Sequence, residues 1–232
     1  MTKVLVAAPV YQREWILPYY LKILKGQKFD GKIDFAFVDG GSTDGTVRIL
    51  SDFGAEVVKS KFISGNTTIR NWNIERLRLI TQLKNEAIEI ARAKQPDFLF
   101  CLDTDILLQG PDCIQKLVDD EKDIVGPYFR TGSLETHPNI MKFNGSTAEH
   151  FQKRNVPVDS LFKVDVIFGA ILIKGECFNI AKFEFDFQGE EIGFARLSYR
   201  LGFDSWCDSR VNARHVWSAQ HLEKVRRDYG ME

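Results

Sequence analysis

The sequence predicts an α/β fold, a single domain with a mostly parallel central sheet and helices on both faces. Three observations predict it. Short apolar runs alternate with helix-period segments through the first half of the chain, the signature of parallel strands joined by crossover helices. The acidic and polar signals follow the strands, at the carboxyl ends where ligands of such sheets sit. The 232 residues are 44% hydrophobic and 27% charged, a globular composition with apolar material enough for a sizeable core.

Each element has its own reason. Residues 3–9 (KVLVAAP) form a short apolar run bounded by proline, hence a buried strand. Residues 14–25 carry apolar positions at helical spacing and stop at Gly26. A second strand spans 34–38 (DFAFV), closed by the turn-rich 39–45 (DGGSTDG). A helix over 46–53 and a strand over 55–58 follow. Residues 74–93 read as a long helix with Leu77, Ile80, Leu83, Ala87 and Ile90 on one stripe, broken before Pro96. The run 98–102 (FLFCL) is a fully apolar strand that ends in Asp103-Thr104-Asp105.

The second half is less regular. A helix is expected over 114–120, a strand over 123–125, and a strand-like run over 164–174 interrupted by Gly169. A helix over 191–201 and a strand over 205–216 complete the reading. The polar stretch 130–163 is too long for an inert connection and is read as a substrate-facing loop region with some local structure.

Composition excludes several classes. Lys and Arg number 31 against 32 Asp and Glu, a net charge of −1. A protein built to coat nucleic acid or anionic lipid needs a basic excess, so no nucleic-acid partner is expected. No apolar run reaches the ~18–20 residues of a membrane span. The N-terminus reads as a first strand rather than a secretion signal, so a cytoplasmic location is expected. The four cysteines show no C-x-x-C pair, which points to reduced, packed thiols rather than zinc.

The chemistry-bearing residues start with the aspartate pair. In extended backbone, residues i and i+2 share a side. Two carboxylates leaving a strand end together suit a hard cation, Mg²⁺ or Mn²⁺, that bridges protein to diphosphate. In the octapeptide DGGSTDGT, the glycines, Ser42, Thr43 and Asp44 are explained by a strand–turn–helix connection. Asp39 is the residue that connection explains least; its carboxylate can accept from a base N–H or a ribose hydroxyl.

Together, APVYQRE after the first strand, VDGGSTDGT after the second, LKNEAIEIA before FLFCLDTD, and GEEIGF followed by a later histidine resemble a glycosyltransferase of the GT-A fold, family 2-like. The motifs cover residues 3–217 nearly end to end. Gly40, Gln12 and Glu191 depart from the family's more frequent Asp, Asn and Asp. The resemblance implies one catalytic domain over 1–232, with a nucleotide-sugar half (1–110) and an acceptor half (111–232). It implies that Pro9 and Tyr11 line the nucleobase pocket, and that Asp39 binds base or ribose. Asp103 and Asp105 would hold the ribose and the metal-bound diphosphate, with Asp105 the firmer metal ligand and His215 a further one. Lys84 or Arg78 would face the phosphates. Gly169 would lie against the donor sugar. Glu191, with Glu190 as second choice, would be the general base of an inverting transfer. The implied partners are a nucleotide-sugar donor, UDP-linked by preference, and a saccharide or glycoconjugate acceptor; the implied cofactor is Mn²⁺ or Mg²⁺. Trp206 and Trp217 could offer sugar-stacking faces, though packing explains them better.

Competing readings are weaker. A nucleotidyltransferase would need a glycine-rich loop after the first strand, and APVYQREW has none. A phosphatase of the haloacid dehalogenase type would place its Asp pair on an early strand. A binding module with a decayed site would not need the acidic residues retained together.

Overall fold

A computed structural model describes residues 1–62, 73–131 and 136–229. β1 (Thr2–Val10) and β2 (Gly31–Asp39) pair in parallel, with α1 (Leu17–Lys25) as their crossover. After α2 (Thr46–Phe53), β3 (Glu56–Lys59) joins β2, also in parallel. α3 (Ile74–Lys94) then leads to β4 (Phe98–Leu102), which pairs on the other side of β1. The first half is therefore the parallel block the sequence predicts.

Its two-sided burial follows from strand geometry. Successive side chains alternate faces. Val4, Val6, Ala8, Phe37 and Phe100 point to one face, where α1 delivers Leu17, Tyr20, Leu21 and Leu24. Leu5, Ala7, Ala36, Val38 and Leu99 point to the other, where α3 delivers Leu83, Ala87, Ile88 and Ala91. Both faces are dry, so the strands read as continuous apolar runs.

The second half extends the same sheet with mixed polarity. β5 (Ile106–Gln109), α4 (Cys113–Asp119) and β6 (Ile124–Tyr128) come first. The described residues of the stretch 130–163 carry more strand than a loop region with some local structure would. They hold β7 (Arg130–Thr131), β8 (His137–Pro138), β9 (Ile140–Asn144), β10 (Thr147–His150), a 3-10 turn at Lys153–Asn155, and the start of β11 (Leu161–Val164). The run 164–174 divides at Gly169 into β12 (Val166–Ile167) and β13 (Ala170–Lys174). Then follow α5 (Gly175–Phe178), α6 (Glu190–Arg200), β14 (Ser205–His215) and α7 (Ala219–Tyr229).

The main sheet runs β11-β14-β6-β13-β4-β1-β2-β3, with β5 also on β14, so one sheet takes strands from both halves of the chain. β13 lies antiparallel to β4 and places Ala170 opposite Leu102. β9, β10 and β12 form a small separate antiparallel sheet. All four cysteines are free and buried, as expected for packed thiols. No helix among the described residues is long and apolar enough to cross a membrane.

Two expectations change. The buried stripe of α3 comprises Leu77, Thr81, Leu83, Lys84, Ala87, Ile88 and Ala91. Ile80 and Ile90 are only half-buried, because the helix is turned toward both the sheet and α6. Asp103-Thr104-Asp105 is a turn and not extended backbone: Ile106 N–H donates to the Asp103 carbonyl at 2.9 Å. The chain folds back at once into β5.

Candidate active site

The loops after β1 and β2 are stitched together by side chains. Gln12 sits at φ +53°. Its Oε1 accepts from Thr43 N–H at 3.0 Å and Asp44 N–H at 3.1 Å, and its own N–H donates to Ser42 Oγ at 3.0 Å. Asp39 is buried, and its carboxylate accepts from Ser42 N–H at 3.0 Å and Gly41 N–H at 3.2 Å. This explains locally the carboxylate that a plain turn left unexplained. A carboxylate has about four acceptor sites, so capacity for a ligand remains. Pro9 and Tyr11 lie at the same strand end. A side chain on Gly40 would make ordinary contact, its Cβ 3.6 Å from the Val10 carbonyl and 3.8 Å from Tyr11 Cβ.

Beyond β4, the two aspartates part company. Arg13 reaches Asp105 Oδ2 at 3.3 Å. Asp103 turns toward α3, where Lys84 Nζ lies 3.5 Å from its Oδ1. The turn is held from below by Tyr20, whose buried hydroxyl donates to the Leu102 carbonyl at 2.8 Å. It is held from the sides by Gly169 and Val216: Asp103 N–H donates to the Gly169 carbonyl and Val216 N–H to the Asp105 carbonyl, each at 2.7 Å.

Lys84 is the hub. It occupies a position of the buried stripe and keeps 4% of its surface exposed. Burying an ammonium is costly unless charge and hydrogen bonds compensate. Compensation comes from the start of α6: Glu190 Oε1 at 2.9 Å and Glu191 Oε1 in a still closer contact. Gly169 N–H also points to Glu191 Oε1, at 3.4 Å. Lys84 is thus no solvated helix residue. It joins Asp103 to both candidate bases, across 107 residues in the case of Glu191.

Three carboxyls around one ammonium cannot all ionise freely. Burial, and next the neighbouring Glu190, push Glu191 up to about 8. For Glu190 burial acts in the same direction, but the Lys84 charge prevails and holds it below its ordinary value. Burial, with repulsion from Asp105 and against the pull of Lys84, raises Asp103 to about 6. Burial alone would lower Lys84; Asp103, Glu190 and Glu191 outweigh it and keep the ammonium charged.

The other candidates sit apart from this hub or beside it. Arg78 lies over the Phe185 ring, its guanidinium carbon 5.3 Å from the centroid. His215 lies on β14, paired with Ile106. Trp206 is covered by Lys122 and Trp217 stacks on His221, so both indoles pack. A cavity of about 440 Å³ opens elsewhere, lined by Ile23, Leu108, Pro111, Arg214 and Val225 among others. It carries no carboxylate and is not the site. Sequence reasoning missed Arg13 and Tyr20; Tyr20 on the buried stripe of α1, so close to a charged strand end in space, left no local signal.

Among the described residues no three His, Cys, Asp or Glu side chains gather as a ready-made metal site. Asp103 and Asp105 fit a different kind of occupancy. Mg²⁺ in particular binds through one or two carboxylates and completes its shell with phosphate oxygens and water. The donor set therefore suits a cation that arrives with a diphosphate.

Known proteins share both sequence and fold with this chain. It is 25% identical over 193 residues to a glycosyltransferase 25 family member of Aedes aegypti, covering 74% of this chain and 31% of that protein. It is 23% identical over 120 residues to a probable inactive glycosyltransferase 25 family member 3 of Rattus norvegicus, covering 50% of this chain and 21% of that one. The chain spans under a third of the length of these curated relatives. Among solved structures, S. aureus TarS 1-349 in complex with UDP superposes with a TM-score of 0.63 at 16% identity, over 97% of this chain and 64% of that one. TarS 1-349 in complex with UDP-GlcNAc gives 0.60 at 16% identity, over 91% and 57%. At this identity the likeness shows the fold, the GT-A fold of a glycosyltransferase. The family model described as "Glycosyltransferase family 25, N-terminal domain" matches residues 1–174, and the chain belongs to glycosyltransferase family 25.

Proposed function

We propose that the chain transfers a sugar from a nucleoside-diphosphate donor, UDP-linked by preference, to a hydroxyl of a saccharide or other acceptor, with inversion at the anomeric carbon. One observation carries the reading. Lys84 brings the aspartate turn of the first half and the Glu190–Glu191 pair of the second half into one cluster, in which Lys84 and both glutamates are buried and Asp103 is partly exposed. The UDP and UDP-GlcNAc complexes of TarS support a nucleotide-sugar donor. Family membership turns the choice away from nucleotidyl transfer.

Asp103 and Asp105 would hold Mn²⁺ or Mg²⁺ against the diphosphate, with His215 as the further candidate ligand. A bound cation supplies charge neutralisation for the departing phosphate. Asp39, Pro9 and Tyr11 would orient the nucleoside, and the backbone at Gly169 would border the sugar. Glu191, once ionised, takes the proton of the acceptor hydroxyl as its oxygen bonds to the anomeric carbon. The bond from that carbon to the phosphate oxygen breaks on the opposite face, and its electron pair leaves with the diphosphate. The Lys84 charge steadies both ends of the exchange.

A second reading has its own support. Two relatives are named inactive or probably inactive, and Lys84 already engages Glu191. In that reading the chain binds nucleotide and does not turn over. Nucleotide release from a panel of NDP-sugars with Mn²⁺ separates the two, and the anomeric configuration of the product, read by NMR, tests inversion. Tight UDP binding with no release or transfer across the panel would favour the binding module.

A further inference from the structure

From Phe168, near Glu191, a row of aromatic rings runs over His150 of the small sheet to His137 of the separate β7–β8 pair. His137 on β8 and His150 at the end of β10 are exposed and stacked, with ring centroids 5.1 Å apart and planes at 25°. Phe168, directly after β12, continues the row, 6.0 Å from His150 at 34°. The row ends at Gly189, which sits at φ +141° immediately before Glu190. A Cβ at Gly189 would lie 3.5 Å from Phe168 Cε1 and 3.9 Å from Glu191 Oε2. Glycine therefore keeps the ground between the Phe168 ring and the carboxylate clear of side chain.

The row is held rigidly. The Gln188 side chain bonds both backbone groups of Ala148 on β10, accepting from its N–H at 2.9 Å and donating to its carbonyl at 3.1 Å. The loop before Gly189 is thus locked to the strand that carries His150. Phe168 N–H donates to the Asn139 carbonyl at 2.8 Å. His150 Nδ1 lies 2.8 Å from the Pro138 carbonyl. A carbonyl only accepts, so Nδ1 carries the proton, and in the neutral ring Nε2 is an acceptor.

Flat rings that suit the C–H face of a sugar, with one fixed acceptor for a hydroxyl, make a saccharide platform. The geometry points to His137, His150 and Phe168 as the acceptor subsite, a wall on which a pyranose stacks with one hydroxyl directed at Glu191. This rests on the proposed glycosyl transfer for its catalytic meaning, but the wall can be tested without turnover.

The probes are methyl β-D-glucopyranoside, methyl β-D-galactopyranoside and N-acetylglucosamine, followed by saturation-transfer NMR in the presence of UDP. At least one is expected to bind the wild-type protein. His150→Ala and His137→Ala, both at exposed positions, should each weaken it fivefold or more, with UDP affinity within twofold of wild type. His150→Phe keeps a ring and should lose less than His150→Ala. No binding of any probe to wild type, or undiminished binding to both alanine variants, overturns the assignment. Wall-dependent sugar binding in a protein that releases no nucleotide from any NDP-sugar would sustain the wall and remove the proposed reaction. Nucleotide release without wall-dependent binding would do the reverse.

Discussion

Lys84 and Glu190 form a buried ion pair at 2.9 Å, each side chain keeping 5% of its surface in water. The pair is a seam between the two halves of the chain, since α3 lies in the first half and α6 in the second. Removing one partner of such a pair strands the others in a dry setting.

Lys84→Met should therefore cost about 3–5 kcal/mol of stability near pH 8, the range for breaking a buried pair. The loss should shrink toward pH 5, where Glu191 carries a proton and fewer charges are stranded. Urea denaturation at both pH values checks this. A variant as stable as wild type at pH 8 would show that the carboxyls do not need the ammonium.

The two glutamates should pull stability in opposite directions with pH. Glu191 is raised to about 8 from an ordinary 4.5. Between those values the folded state holds a proton the unfolded state has released, so its contribution is complete below 4.5 and is lost as pH rises through 8. Glu190 is lowered, so its contribution is present above 4.5 and is lost as pH falls through its depressed value. Glu191→Gln should remove the alkaline loss of stability, and Glu190→Gln should remove the acid one. Paired denaturation curves from pH 3 to 9 read both slopes; unchanged slopes in both variants would contradict the assignment. If Glu191 is the base, transfer should also rise with pH toward an alkaline plateau.

The aspartate turn allows a cleaner separation of fold from chemistry. Asp105 is near the surface, with 14% of its side chain exposed beside Arg13. Asp105→Ala should leave the melting temperature within a few degrees of wild type. It should also lower sugar transfer at least 100-fold and abolish the enhancement of UDP binding by Mn²⁺ that is expected of the wild type, with calorimetry as the readout. Retained transfer in the folded variant would sink the metal role of this residue.

Much of this site was legible where the signal is local. The apolar runs of β1, β2 and β4 and the turn DGGSTDG are contiguous patterns whose period or composition decides their structure, whereas the aspartate pair, read as extended, is a turn closed by its own backbone. Lys84 was visible as a candidate, but its burial was not. A lysine at the register of Leu77, Thr81, Ile88 and Ala91 reads as an exposed face until its partners 106 and 107 residues away are known. The strands between 130 and 163 escaped for the same reason. They are two to five residues long, too short for periodicity, and exist through partners such as Val166 opposite Met141. β5 depends likewise on β14, about a hundred residues on.

Gly193 gives the sharpest test of how the acidic helix start is positioned. A Cβ there would fall 1.9 Å from the Glu184 carbonyl oxygen and 2.6 Å from its carbon, a backbone clash that no rotamer relieves. The segment it would strike cannot easily yield. Asn85 on α3 clamps Phe183 through both backbone groups, at 2.8 and 2.9 Å, and Phe183 stacks on Phe194 at 4.8 Å. Gly193→Ala must therefore push α6 away from α3. The expected cost is about 1–3 kcal/mol or more, as for overpacked cores. Because Glu190 and Glu191 lie three and two residues upstream, the shift should also loosen the Lys84 contacts and change the titration of Glu191, which burial pushes up and Lys84 pulls down. Gly202→Ala is the control: a Cβ there meets nothing within 4 Å, and only its φ of +90° opposes the change, a penalty of about 1 kcal/mol. Denaturation of the two variants, with the Glu191 titration followed by NMR, checks both parts. Equal stability of the two, with the Glu191 titration unmoved, would show that α6 is not seated by this close approach.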